Sequence, residues 1–323
     1  MLQRSEKPFS EPVPEVSVVL CTWNRADLLG GALDALVRQR SSTVHEIVVV
    51  DNNSTDATAA IVRRYAERHP QVRYVYEAAP GLSHARNAGV AATRGPIVAF
   101  TDDDVRVPEE WVSTIAAVSQ RYPDAGCFGG PVLPQWTGPV PRWLTEEQWS
   151  ALGVQNHSQD PFRADEARPV CLIGANLVIR RRVLEEVGPF DPAVQRVGNG
   201  IGSTEDHEYH RRIWAAGHYG IYDPSLRVGA VVTGDRLVKR YHRKWHFGHG
   251  RHIARMRLPD MERSRVRLLG VPIHLLRQAA VDLQQGVAGL ARRDEVCAFD
   301  RELRLWFAAG FIRERLARSG ASQ

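Results

Sequence analysis

The stretch that decides the fold is Ile97 to Arg106, I-V-A-F-T-D-D-D-V-R, closed off by Gly95-Pro96 before it and Pro108 after it. A short apolar run between turn signals reads as a buried strand. It runs into three consecutive aspartates, at the carboxyl end where open α/β sheets place their ligands. Three adjacent carboxylates repel one another unless a cation or hydrogen bonds compensate them. If the extended geometry persists, Asp102 and Asp104 project to one side and Asp103 to the other. Such a pair suits a hard divalent cation, which takes oxygen ligands and shares them with substrate phosphates. The plainer reading is a solvated acidic turn capping a helix that starts near Glu109.

Working outward, strand and helix alternate. Val16–Cys21 is a strand, Ala26–Arg40 an amphipathic helix, His45–Val50 a second strand ending at Asp51, Ala57–Arg68 a helix, Val72–Tyr76 a third strand and Leu82–Thr93 a helix. This order predicts a mainly parallel sheet sandwiched by helices. Beyond the aspartates, Glu109–Arg121 reads as a helix and Gly126–Leu133 as a strand. The span Gln135–Pro169 reads as a loop holding Trp136, Trp143 and Trp149, which could stack on a sugar or anchor packing. Cys171–Ile179 reads as a strand interrupted by Gly174-Ala175-Asn176, where a glycine suggests close approach of a backbone or ligand. A glycine-rich run, Gly198–Gly202, precedes a helix through Ala216 with Glu205 and Asp206 in its first turn. There, acidic residues either serve the helix dipole or present a general base.

The 323 residues allow one large α/β domain or two smaller ones, with 43% hydrophobic and 24% charged residues typical of a soluble globular chain. The net charge of +5 is unevenly spread: residues 236–323 carry 19 Lys and Arg against 8 Asp and Glu, the remainder 23 against 29. An acidic body with a basic tail points to an anionic partner, a phosphorylated substrate or a lipid surface; no motif supports nucleic acid. The expected domains are a flexible segment 1–14, a catalytic unit 15–235 and a basic, mainly helical region 236–323. The opening residues lack the apolar core of a signal peptide, and no stretch reaches transmembrane length. Cys21, Cys127, Cys171 and Cys297 are widely separated, as expected of buried thiols in a reduced cytoplasm. There is neither a G-x-G-x-x-G after the first strand nor a P-loop, which argues against dinucleotide and P-loop enzymes.

Five stretches in order, V-S-V-V-L-C-T-W-N-R, I-V-V-V-D-N-N-S-T-D, G-L-S-H-A-R-N-A-G, F-T-D-D-D-V and T-E-D-H-E-Y, resemble the family 2 glycosyltransferases of the GT-A fold, a large bacterial group of inverting enzymes. The resemblance covers residues 15–255. It implies a nucleoside pocket lined by Thr22, Asn24, Arg25, Asp51 and Asn53, with Arg86 facing the nucleotide. It places the D-x-D signature on Asp102–Asp104, with Asp104 the leading ligand of Mn²⁺ or Mg²⁺, Asp102 near metal or ribose, and Asp103 the rival. Asp206 corresponds to the catalytic base. Gly174, Ala175, Asn176, Glu205 and Trp245 are expected near the donor sugar or acceptor.

The sequence also departs from the pattern. The histidine that many relatives carry in a V-x-H element is replaced by Ala230; His242, His246 and His249 are the remaining candidates, each read as a structural or solvated histidine rather than a substitute ligand. Lys239–Arg257 is similar to the basic stretch that closes over the site in relatives. Val271–Leu290 and Glu295–Leu316 read as amphipathic helices that pack on the body, on a second copy, or on the inner membrane face.

The expected activity is transfer of a sugar from a UDP-, dTDP- or GDP-linked donor to an acceptor hydroxyl, in the cytoplasm or at its membrane. The alternatives are a catalytically silent nucleotide-sugar-binding scaffold and a nucleotidyltransferase.

Overall fold

The computed structural model describes residues 13–195, 204–268 and 270–319. The expected run Gly198–Gly202 and all but the last residues of the expected flexible segment lie outside them.

The elements follow in the order β1 (Val16–Thr22), α1 (Ala26–Val37), β2 (His45–Asp51), α2 (Thr58–Arg68), β3 (Val72–Tyr76), α3 (Leu82–Ala92), β4 (Ile97–Asp102), β5 (Val105–Arg106) and α4 (Trp111–Arg121). Then come β6 (Cys127–Gly129), β7 (Val132–Trp136), β8 (Phe162–Ala164), β9 (Leu177–Arg180), α5 (Arg181–Val187), α6 (Glu205–Ala215), β10 (Gly220–Tyr222) and β11 (Val228–Val232). The chain ends in α7 (Lys239–Met256), α8 (Pro259–Glu262), a two-stranded ribbon of β12 (Arg267–Leu268) and β13 (Val271–Pro272), α9 (Ile273–Ala291) and α10 (Glu295–Ser319).

The main sheet runs β3-β2-β1-β4-β9-β6-β10-β8, and a smaller one β5-β11-β7. β1 is buried along its whole length, and alternate residues feed opposite cores. Val16, Val18 and Leu20 pack with Leu29, Leu33, Trp111 and Ile115 on one face; Val19 and Cys21 pack with Phe100, Tyr209 and Ile213 on the other. Burying each such aliphatic side chain contributes roughly 1.5–3 kcal/mol. A strand buried on both faces must be apolar throughout, which is why V-S-V-V-L-C is so plain in the sequence.

Register positions the site. β1 runs parallel to both β2 and β4, with Thr22 opposite Asp51 and Cys21 opposite Asp102, so three strands end in step. β9 runs antiparallel to β4, Leu177 opposite Phe100, which delivers the turn Gly174–Asn176 to the same edge. β11 pairs with β5, and the Val231 N–H donates to the Asp104 carbonyl (2.8 Å).

Several expectations are corrected. The strand expected over Gly126–Leu133 divides into β6 and β7, which join different sheets. Its break falls at Gly130-Pro131, where a Cβ on Gly130 would stand 2.5 Å from the Asp223 and Leu226 carbonyls. The strand expected from Cys171 begins only at Leu177. The loop Gln135–Pro169 contains β8 and a 3₁₀ helix, Glu146–Leu152, started by a capping box between Thr145 and Gln148. Trp143 there is buried, its ring edge-on to His242 (5.1 Å) and Phe299 (4.8 Å), and anchors packing. The chain also turns after Asp102, so Asp102 and Asp104 do not share a side of an extended strand.

The C-terminal helices pack on α7. α7 and α10 cross closely: a Cβ on Gly310 would stand 2.0 Å from the Phe247 carbonyl, and one on Gly250 would stand 2.1 Å from that of Phe307. Ion pairs of Arg251 and Arg255 with Glu314, and of Arg243 with Glu302, absorb part of the basic charge. Leu283, Val287 and Leu290 on α9 stay exposed. Among the described residues no helix is long and apolar enough to cross a membrane.

Candidate active site

At the carboxyl edge the loops after β1 and β2 are locked together. Asn24 and Asn53 both adopt left-handed backbone (φ 49° and 61°), a conformation asparagine tolerates. The Asn24 side-chain oxygen accepts from the Thr55 N–H (2.7 Å), and that of Asn53 from the Tyr76 hydroxyl (2.8 Å). Asp51, buried, accepts from Tyr74 Oη and from the Ser54 N–H, both at 2.9 Å. Asn52, which the sequence reading passed over, is buried and ties this loop to the next by donating to the Glu77 and Ala79 carbonyls and accepting from the Gly81 N–H.

The aspartate turn is a charge cluster. Thr22 Oγ1 donates to Asp103 Oδ2 (2.8 Å). Two guanidinium groups converge on one oxygen, Asp104 Oδ2: Arg25 at 3.1 Å and Arg236 at 2.9 Å. Burial, then the neighbouring Asp104 carboxylate, push the Asp103 carboxyl up to about 7, against the pull of Arg25 and Thr22. No three His, Cys, Asp or Glu among the described residues form a closed metal site. The oxygen donors present are of the type a hard divalent cation takes, provided that substrate and water complete its coordination; in the structure guanidinium groups hold Asp104.

Arg236 was missed because the sequence offers only one arginine among many in a basic region. Its position comes from the 3₁₀ turn Gly234–Arg236 after β11, whose last carbonyl accepts from His242 Nε2 (3.1 Å). His242 is buried and donates to the Arg236 carbonyl, His246 Nδ1 donates to the His242 carbonyl, and His249 stacks on Trp245; among the described residues no group of three His, Cys, Asp or Glu joins any of them to Asp104 as a metal set. Ala230, where relatives carry histidine, faces the core.

The second cluster is built on α3, α6 and the Gly174 turn. Arg86 is 3% exposed, and its Nη1 lies 2.6 Å from Asp206 Oδ1. The guanidinium lies over the rings of Phe190 (5.3 Å) and Phe100 (5.9 Å). In the structure its charge is paired with Asp206. The other oxygen, Asp206 Oδ2, accepts from the Gly174 N–H (3.0 Å). Burial alone would raise the Asp206 carboxyl; Arg86 first and the Gly174 N–H second outweigh it and hold the group below the ordinary aspartate range.

Glycine at Gly174 leaves room for Arg86 in this position, because a Cβ would stand 1.8 Å from Arg86 Nη2 and push the guanidinium aside. His210, also missed, joins α6 to this turn: its Nδ1 donates to the Asp206 carbonyl (2.8 Å) and its Nε2 accepts from the Leu172 N–H (3.4 Å). Burial pushes its pKa down to about 4, so it serves as a neutral strut.

One expectation is corrected. Asn176 is fully buried; its amide accepts from Trp111 Nε1 (3.1 Å) and donates to the Pro131 and Leu226 carbonyls, so it braces the scaffold and cannot meet a sugar. Glu205, the first residue of α6 and the neighbour of Asp206, is also buried. Trp245 lies on α7, stacked on His249 (4.7 Å), whose ring is 6.4 Å from that of His207, the neighbour of Asp206. Cys21, Cys127 and Cys171 are buried thiols, and Cys297 is half-buried.

Known proteins give this geometry a class. The structure is similar to the mannosyltransferase PcManGT from Pyrobaculum calidifontis in complex with GDP-Man and Mn²⁺ (TM-score 0.55, 21% identity, 97% of this chain and 76% of that one). It is also similar to GalNAc-T7 with UDP, GalNAc and Mn²⁺ (TM-score 0.53, 18% identity, 76% and 48%). The fold is therefore that of the GT-A glycosyltransferases, enzymes of glycosyl transfer. In sequence the chain is 26% identical over 217 residues to a glucosyl-dolichyl phosphate glucuronosyltransferase of Haloferax volcanii, covering 66% of this chain and 68% of that protein. The model of glycosyl transferase family 2 matches residues 17–188, more than half of the chain, which belongs to that family.

Proposed function

We propose that the protein transfers a sugar from a nucleoside-diphosphate sugar to an acceptor hydroxyl in one inverting displacement. The observation that carries this reading is the meeting, at one sheet edge, of the aspartate turn with an ionised, arginine-paired Asp206. Thr22, Asn24, Asp51 and Asn53 shape the nucleoside end of the pocket. Asp104, with Asp102, would hold Mn²⁺ or Mg²⁺. The bound cation would supply positive charge to the departing diphosphate. On the opposite side Asp206 accepts the proton of the acceptor hydroxyl as the new bond forms. Both its oxygens already accept one hydrogen bond, and a carboxylate oxygen has a second lone pair to offer. Arg86 keeps the group ionised before the hydroxyl arrives, and a single base suffices because no covalent sugar intermediate is needed. Trp245 and His249, next to α6, form the acceptor side.

In this reading residues 15–235 carry the donor and base, and 236–323 begin with a site residue and continue as the cover. The exposed apolar stripe on α9 is the place where a lipid leaflet or a second copy would sit. The named relatives act on lipid-linked or nucleotide-linked sugars, which supports this substrate class without fixing the sugar.

The test is calorimetry with UDP-, GDP- and dTDP-sugars in Mn²⁺, Mg²⁺ or chelator, for wild type, Asp104→Ala and Asp206→Asn. One donor should bind in a metal-dependent way, lose that binding in Asp104→Ala and keep it in Asp206→Asn. Failure of every donor to bind folded protein would overturn this reading and the nucleotide-sugar-binding scaffold with it, whereas metal-dependent donor binding without turnover of any acceptor would favour the scaffold.

A further inference from the structure

We propose that Arg236 changes partners during donor binding: it holds Asp104 in the empty protein and grips the donor's diphosphate once a cation takes Asp104. The inference rests on the proposed donor site and adds a residue and an order of events to it. Two guanidinium groups share one oxygen, Asp104 Oδ2, at 2.9 and 3.1 Å. A cation arriving on this carboxylate meets two guanidinium charges held on one of its oxygens, and since neither arginine can act as a ligand and both repel it, its binding favours the departure of at least one.

Arg236 is the more deeply held, its side chain 15% exposed against 33% for Arg25. Its backbone is fixed at both ends, by its N–H donating to the Thr233 carbonyl (3.0 Å) and by its carbonyl accepting from His242. The side chain can therefore swing only locally, within reach of whatever anion sits on the cation. Arginine stays charged at any working pH and offers paired N–H donors that match phosphate oxygens. The diphosphate of a donor brings that anion, so a lost Arg236–Asp104 pair is replaced by an Arg236–phosphate pair.

Exchange has a thermodynamic signature that a merely structural ion pair lacks. Cation alone must break the pair without compensation, so it binds weakly. Cation and diphosphate together bind synergistically, each strengthening the other by the same factor. Removing Arg236 should therefore act in opposite directions on the two ligands.

The experiment is calorimetry on the full chain with Mn²⁺ alone, with UDP and GDP in saturating Mn²⁺, and with UMP and GMP, for wild type, Arg236→Ala and Arg236→Lys. Thermal melts verify folding. In Arg236→Ala, Mn²⁺ alone should bind about 5-fold tighter, while the nucleoside diphosphate loses roughly 10- to 100-fold, the range of a charged hydrogen bond. The monophosphate should change less than about 3-fold, and Arg236→Lys should recover part of the diphosphate affinity. Diphosphate binding unchanged in Arg236→Ala, or Mn²⁺ weakened together with it, would overturn the exchange while leaving the donor site standing. Absence of UDP and GDP binding to wild type would overturn both.

Discussion

Replacing Arg86 with methionine removes the counter-ion of Asp206 while keeping bulk against Phe100 and Phe190. The facing atoms are 2.6 Å apart, and the pair is largely shielded from water, with side chains 4% and 18% exposed. Taking the charge centres as about 4 Å apart and an effective dielectric constant of about 20, the attraction is about 4 kcal/mol. At 1.36 kcal/mol per tenfold change in proton affinity, its loss raises the carboxyl's titration by about 3 pH units at most. Burial, which Arg86 and the Gly174 N–H together outweigh in wild type, favours the neutral carboxyl once the arginine is gone. The acid limb of kcat/KM should therefore move up by about 2–3 pH units in the variant, so that activity falls steeply below neutrality.

Stability follows with a defined sign. In wild type the lowered carboxyl contributes stability that is present above the ordinary aspartate value and lost as pH falls through the folded value. In the variant the folded carboxyl titrates above that value, so the defect is greatest at neutral pH, about 3–5 kcal/mol for a broken buried pair, and shrinks toward pH 4. Paired kinetic profiles and thermal melts from pH 4 to 8 measure both effects. An unmoved acid limb, with a melting difference independent of pH, would refute the claim that Arg86 sets the charge of Asp206.

Other substitutions probe the supports. Gly174→Ala places a methyl group where Arg86 Nη2 now lies, 1.8 Å from the new carbon, so it should shift the acid limb in the same direction as Arg86→Met with the pocket otherwise intact. Gly310→Ala drives a methyl group into the Phe247 carbonyl and should cost about 1–3 kcal/mol in a denaturant melt, the usual range for overpacking. His210→Phe leaves the Leu172 N–H and Asp206 carbonyl without their shared partner. Its melting temperature should drop and kcat should fall with KM little changed, and an unchanged kcat would dismiss His210 as a support of the base.

The strands were legible because residues buried on both faces must be apolar: V-S-V-V-L-C and I-V-A-F could hardly be anything else. The end-to-end alignment of Thr22, Asp51 and Asp102 followed from the alternation of strand and helix. Asp206 was legible as a first-turn acid of α6. What the sequence could not carry were pairings between distant elements. Arg236 meets Asp104 across 132 residues, and Arg86 meets Asp206 across 120. Asn176 was expected near the donor sugar or acceptor from the family resemblance of the Gly174-Ala175-Asn176 run, yet Trp111 and two carbonyls consume its amide. The break at Gly130-Pro131 was hidden inside an apolar run, since sheet membership depends on neighbours that a one-dimensional pattern does not name.

The central claim is that Asp206 acts on the acceptor while the aspartate turn holds the donor. It is tested most directly by measuring kcat and donor Kd together for Asp206→Asn, with the donor and acceptor on which wild type is active. The account predicts a donor Kd within about 2-fold of wild type and a kcat lowered by about 10²–10⁴, the range for loss of a general base. A variant that turns over at the wild-type rate, or one that stops binding the donor, would contradict it.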